Sequence, residues 1–192
     1  MKINFVILLI ALVILGFTAL FENNYLDYSP PIPYSNLRSI DFSDFKGYKL
    51  PGQALQGTNE FAFIKTNRVV KFFSGKTLTV TTFFYPSRSY VYNQEIRSED
   101  LLSHELYHMQ ITEYFSRLFR KEATEYTEDI TSSQINFWER KYNRLENEMQ
   151  MQYDDESDHS YVLSEQIRWE KKIDSCLNSL SKYGDSLIVL KK

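Results

Sequence analysis

Residues 98–119 read SEDLLSHELYHMQITEYFSRLF, and the fold is read outward from them. Ser98 is a helix-capping residue type, and Glu99 and Asp100 place acids in the first turn that would follow it. From Leu101 onward the apolar residues recur at helical spacing. His104 and His108 stand four residues apart, one turn above each other, so both imidazoles can reach one ion from the same face. Leu101, Ile111, Phe115, Leu118 and Phe119 fall within about 60° of that direction at about 100° per residue. The histidines are therefore expected to face the interior. Glu105 follows the first histidine and points about 100° around the helix, where it can act on a water without ligating the ion itself. Two nitrogen donors plus an adjacent carboxylate base is the H-E-x-x-H pattern of zinc-assisted hydrolysis.

The chain holds three histidines in all. The third, His159, ends the run YDDESDH at 153–159, a polar break between two further helical patterns. A catalytic zinc site takes three protein donors and keeps one position open, so His159 is the natural third donor. Asp154, Asp155, Glu156 and Asp158 are rivals for that place, or partners that orient an imidazole.

Composition limits the remaining readings. The 192 residues carry a net charge of -3, which leaves no basic footprint for nucleic acid. The 14 Tyr and 14 Phe supply a substantial core for one domain. Cys176 is the single cysteine, so no intrachain disulfide can form, and it reads as a small buried hydrophobe. Lys2 precedes an uncharged run from Phe5 to Phe21, at the lower length limit for a membrane span. Residues 1–21 are expected to be an export signal, either cleaved or kept as an anchor. Any membrane contact would then run through residues 5–21, and the rest of the chain would lie outside the cytoplasm.

Residues 22–36, with Pro30-Pro31-Ile32-Pro33, read as an extended linker, and residues 37–182 as one domain. The stretch 41–47 is turn-rich with anchoring aromatics, and Pro51-Gly52 follows it. Residues 61–64, 69–73 and 78–84 are β-branched and aromatic, and Ser74-Gly75-Lys76 separates the last two. That pattern predicts an antiparallel meander closed by 86–89. After Ser98 the pattern predicts three helices, over about 99–126, 133–152 and 161–182. The expected fold is α+β, a meander followed by helices that carry the metal site.

Three ordered motifs resemble one family. DFSDFKG at 41–47 is similar to its opening signature W-x-D-F-x-G, and LLSHELYHMQITE at 101–113 to its helix LL-x-HE-x-x-H-x-x-I-x-E. YDDESDH at 153–159, with Gln166 and Trp169, resembles its segment YD-x-E-T-x-H-G followed by Q-x-x-W. The family is the bacterial domain-of-unknown-function family 922, described as secreted zinc-dependent proteases. The resemblance spans roughly residues 37–180. It implies a zincin-like exported enzyme, with zinc on His104 and His108 and His159 as third ligand. Phe42 replaces the family's tryptophan, Leu106 its glutamine, and Ser160 the glycine after the histidine; none of these removes a ligand or the base. Glu113 matches the family, but helical arithmetic points it away from His104, so a supporting or structural role is expected.

The leading expectation is a zinc metallopeptidase acting on a peptide or protein substrate, with Glu105 as general base. Tyr153 or Tyr161 is a candidate to hold the oxyanion. Two alternatives compete with it. One is a non-catalytic zinc-binding envelope protein. The other is a di-iron carboxylate protein using Glu105-x-x-His108 and Glu156-x-x-His159, a pattern that belongs to all-helical bundles.

Overall fold

The computed structural model describes residues 2–22, 27–47, 61–73, 77–92 and 97–189. The predicted turns at Pro51-Gly52 and Ser74-Gly75-Lys76 lie outside the described residues. The fold is α+β with antiparallel sheets. Helix α1 spans Lys2–Glu22, and its described side chains, residues 6–17, are exposed. Among the described residues no helix is long and apolar enough to cross a membrane.

Strands β3 (Thr66–Phe73) and β4 (Thr77–Phe84) pair along their full length, from Thr66 opposite Phe84 to Phe73 opposite Thr77. Strand β4 alternates strictly. Leu78, Val80, Thr82 and Phe84 are buried, and the residues between them face outward, the period-two pattern of a sheet with one covered face. The meander expectation holds only for this pair. The first predicted segment, 61–64, forms β2 (Ala62–Phe63), which pairs instead with β5 (Tyr90–Val91) in a separate ladder. The divergence occurs at Lys65, whose N–H donates to Ser89 Oγ while its carbonyl accepts from the Tyr85 N–H.

The second edge of β4 is shared. Strand β1 (Ile32–Pro33) pairs with Phe83 and Phe84, and β6 (Leu187–Val189) pairs with Thr77 to Thr79. Ile32 and Pro33, read from sequence as linker, thus join the sheet at an edge, where a residue without an N–H is tolerated. Ahead of the strands, Asp41 caps a short 3-10 helix at Phe42–Asp44 and Phe45 packs on Phe84 at 5.3 Å. Gly47 lies so close to the backbone of Ser89 that a Cβ would meet its carbonyl oxygen at 2.6 Å. Only glycine fits there.

Three long helices follow: α2 (Glu99–Glu125), α3 (Ser132–Ser157) and α4 (Leu163–Ser179). Ser98 Oγ accepts from the Leu101 N–H and Thr131 Oγ1 from the Gln134 N–H, as N-caps should. Helix α2 lies between the sheet and the other two helices. Its Ile111, Phe115 and Phe119 share one core with Leu78 and Val80 of β4, Trp138 and Tyr153 of α3, and Trp169 of α4. Cys176 is half-buried.

The second helix runs five residues past its predicted end, so Asp154, Asp155 and Glu156 belong to its last turns and not to a loop. Asp158, His159 and Ser160 then adopt φ of 47°, 50° and 78°, three successive left-handed residues. The Asp158 and His159 N–H groups both donate back to the Asp154 carbonyl. This tight reversal ends α3 and swings His159 back toward α2.

Candidate metal centre

His104 and Glu105 are 1% and 4% exposed on the inner face of α2, and His108, one turn on, is half-buried with its side chain 14% exposed. Their Nε2 atoms, one turn apart, lie 3.2 Å from each other. Asp154 of α3 brings its Oδ1 to 3.2 Å from His104 Nε2 and 2.9 Å from His108 Nε2. His159 approaches from the left-handed turn, with Nδ1 3.7 Å from the same oxygen. Among the described residues, His104, Asp154 and His159 are the one group whose donor atoms all lie within 4.8 Å of one another.

These three lie close enough to hold a metal ion, while His108 falls outside that group although its Nε2 is 2.9 Å from Asp154 Oδ1. Bonds of about 2.0–2.1 Å put two donors of one tetrahedron about 3.3 Å apart, close to the spacings here. Asp154 Oδ1 is buried and has no hydrogen-bond donor aligned on it among the described residues, although three imidazole nitrogens surround it. The oxygen is ion-paired with His108 and lies within reach of His104 and His159, the two imidazoles that could share an ion with it.

The charges around this oxygen divide the two helix histidines. Burial pushes the His104 imidazole down to about 4. Burial would also lower His108, but the Asp154 carboxylate outweighs it and raises His108 to about 9. Burial would raise Asp154, yet His108 and His104 hold its carboxyl far below the usual carboxylate range. Without metal, the centre is a protonated His108 against an ionised Asp154, with a neutral His104 beside them.

Gln150 of α3, which sequence reasoning missed, fixes His108 at two points. Its Oε1 faces His108 Nδ1, and its Nε2 donates to the His108 carbonyl at 3.0 Å. That arrangement keeps Nδ1 protonated and aims Nε2 at the centre. One turn earlier, Glu146 accepts from Thr112 at 2.7 Å and from the buried Arg68 of β3 at 3.1 Å. Glu146, Gln150 and Asp154 recur every four residues, a polar stripe on α3 turned toward α2.

The donors open on a cleft of about 220 Å³. His104, Glu105, His108, Gln150, Asp154 and His159 line it together with the segment 62–66. Tyr153 is not among the lining residues. It is fully buried, and its ring lies flat on His104 with centroids 4.6 Å apart. Tyr161 is 56% exposed and packs on Phe61. Neither matches the expected oxyanion role.

Glu113 is buried in a network away from the histidines, accepting from Thr82, Arg117 and Arg120 at 2.8, 3.0 and 2.9 Å. It is structural. Glu156 accepts from Trp169 Nε1 at 2.9 Å and from Arg168, so it does not join His159 in a second E-x-x-H metal pair. Asp155 and Asp158 are exposed and outside the donor group. Gln166 donates to the Asp100 carbonyl at 2.9 Å, tying α4 to the start of α2. Compared with known proteins, the chain matches no family model, no curated protein and no solved structure, so the candidate centre stands on its own geometry.

Proposed function

We propose that this chain is an exported, zincin-like, zinc-dependent peptidase whose metal is held by His104, His108 and His159, with Glu105 as general base. One observation carries the reading. A buried glutamate, three imidazoles and the segment 62–66 line a single cleft. When bound, zinc supplies acidification of a water and polarisation of the scissile carbonyl. Glu105 would take the proton from the attacking water and pass it to the leaving amine. Segment 62–66 forms part of the cleft in which a peptide would lie. Tyr153 backs His104 and excludes water from behind it. Residues 1–21 would deliver the domain outside the cytoplasm, either cleaved or retained.

The test is Glu105→Gln, assayed against a broad peptide library. The variant should keep zinc and fold while losing hydrolysis by roughly 10²–10⁴-fold. Equal turnover in the variant removes Glu105 from the mechanism. A second reading, a non-catalytic zinc protein, is favoured by one specific observation: Asp154 Oδ1 lies 3.2 and 2.9 Å from His104 and His108 Nε2, where it would add a donor, and four protein donors are the mark of a closed structural site. A wild type that binds zinc and cleaves nothing would establish it.

A further inference from the structure

We propose that Phe61 and Tyr161 form a subsite beside the cleft that takes an apolar side chain of the bound peptide and so sets the specificity of cleavage. The proposal rests on the zinc peptidase reading above and deepens it. Each residue is joined to a part of the chain that lines the cleft. Phe61 directly precedes Ala62, where the lining segment 62–66 begins, and Tyr161 lies two positions after His159. Their rings meet with centroids 5.0 Å apart, so the pair links the strand segment to the turn that carries His159.

Both backbones are fixed by hydrogen bonds. The Phe61 carbonyl accepts from the Tyr92 N–H at 2.9 Å, and the Tyr161 N–H donates to the Asp158 carbonyl at 3.1 Å. The next N–H, of Val162, donates to the Ser157 carbonyl at 2.8 Å. A surface held in this way can bind without first being ordered.

That surface is apolar and uncovered. Tyr161, Val162, Leu163 and Ile167 are all exposed, and Leu163 and Ile167 stand one turn apart on α4. Outside α1, no other seven successive described residues hold more than two exposed large hydrophobics. Single exposed apolar residues are ordinary, whereas a concentration of them beside a cleft marks a place where something binds. The occupant argued here is a side chain of the peptide in the cleft, because the patch continues from the cleft lining at both Phe61 and Tyr161. The Cα atoms of His159 and Tyr161 are at most about 7.6 Å apart, two trans peptide steps. An extended peptide advances about 3.3 Å per residue, so the side chain that meets the subsite lies within about two residues of the scissile bond.

The experiment measures binding to the zinc-loaded full chain by calorimetry. Two probe series are titrated, N-acetyl amino-acid hydroxamates and succinamide hydroxamates, which extend from the metal in opposite directions along the peptide. Each series carries hydrogen, isobutyl or benzyl as its side chain. Wild type, Tyr161→Ala and Phe61→Ala are compared, with circular dichroism to check folding. In wild type one series should favour isobutyl or benzyl over hydrogen by about tenfold or more, and both variants should cut that ratio to about threefold or less. No side-chain preference in either series, or the same preference in wild type and variants, overturns the proposal and leaves the zinc reading in place. Failure of every hydroxamate to bind the zinc-loaded wild type refutes the zinc reading, and the proposal falls with it. Sedimentation of the same proteins tests a different occupant: a wild-type dimer that Tyr161→Ala dissolves assigns the patch to a second copy of the chain and also overturns the proposal.

Discussion

Replacing Gln150 by alanine tests whether the metal affinity of this fold depends on a residue far from the H-E-x-x-H run. Gln150 meets His108 twice, accepting from the ring at Nδ1 and donating to the main-chain carbonyl. Net hydrogen bonds of about 0.5–1.5 kcal/mol each give a combined loss of about 1–3 kcal/mol. Removing a partner that orients a metal-binding histidine typically weakens the metal by about 10–100-fold, and that range converts to about 1.4–2.8 kcal/mol. The two routes agree. Competition against a chromophoric chelator should therefore show zinc held about 10–100-fold more weakly in Gln150→Ala. Gln150→Glu keeps an acceptor facing Nδ1 and should lose much less. An alanine variant that still melts cooperatively and binds zinc within about twofold of wild type would refute the orientation of His108 described here.

Ser160→Gly should stabilise the protein by about 0.5–1 kcal/mol, read as a higher urea midpoint. Serine at φ 78° carries a left-handed cost of about 1–2 kcal/mol, and the extra unfolded-state freedom of glycine, about 0.5–1 kcal/mol, offsets part of the gain. A loss of stability would mean that the turn around His159 differs from that described. Glu113→Ala should cost about 3–5 kcal/mol, because it strands the buried Arg120 without its carboxylate; thermal unfolding checks this, and a shift within error would show the network to be dispensable. Trp169→Ala should also cost about 3–5 kcal/mol, as it empties a core site and frees Glu156, and near-wild-type stability would contradict the packing of α4 on α3.

The helix that carries the site was readable because every local signal agreed. Ser98 caps, two acids follow, and the histidines share the apolar face. The β3–β4 hairpin was readable from its β-branched and aromatic runs on either side of a glycine. The end of α3 was not. Aspartates, a glutamate and a serine in succession look like a solvated break, and only packing against α2 shows Asp154 and Ser157 turned inward. The left-handed turn at 158–160 left no glycine to mark it. The ladders β2–β5, β1–β4 and β4–β6 involve two or three residues each, too few for any periodicity to register. Of the site, the histidines and Glu105 were legible from spacing. Gln150 and the central place of Asp154 required the meeting of two helices.

Metal content decides whether His104 and His108 together hold a zinc ion. The purified full chain, dialysed against dilute zinc and measured by atomic emission, should retain about one zinc per chain, as a mononuclear site requires. His104→Ala and His108→Ala should each retain almost none while remaining folded by circular dichroism. Full zinc in either variant would contradict the account.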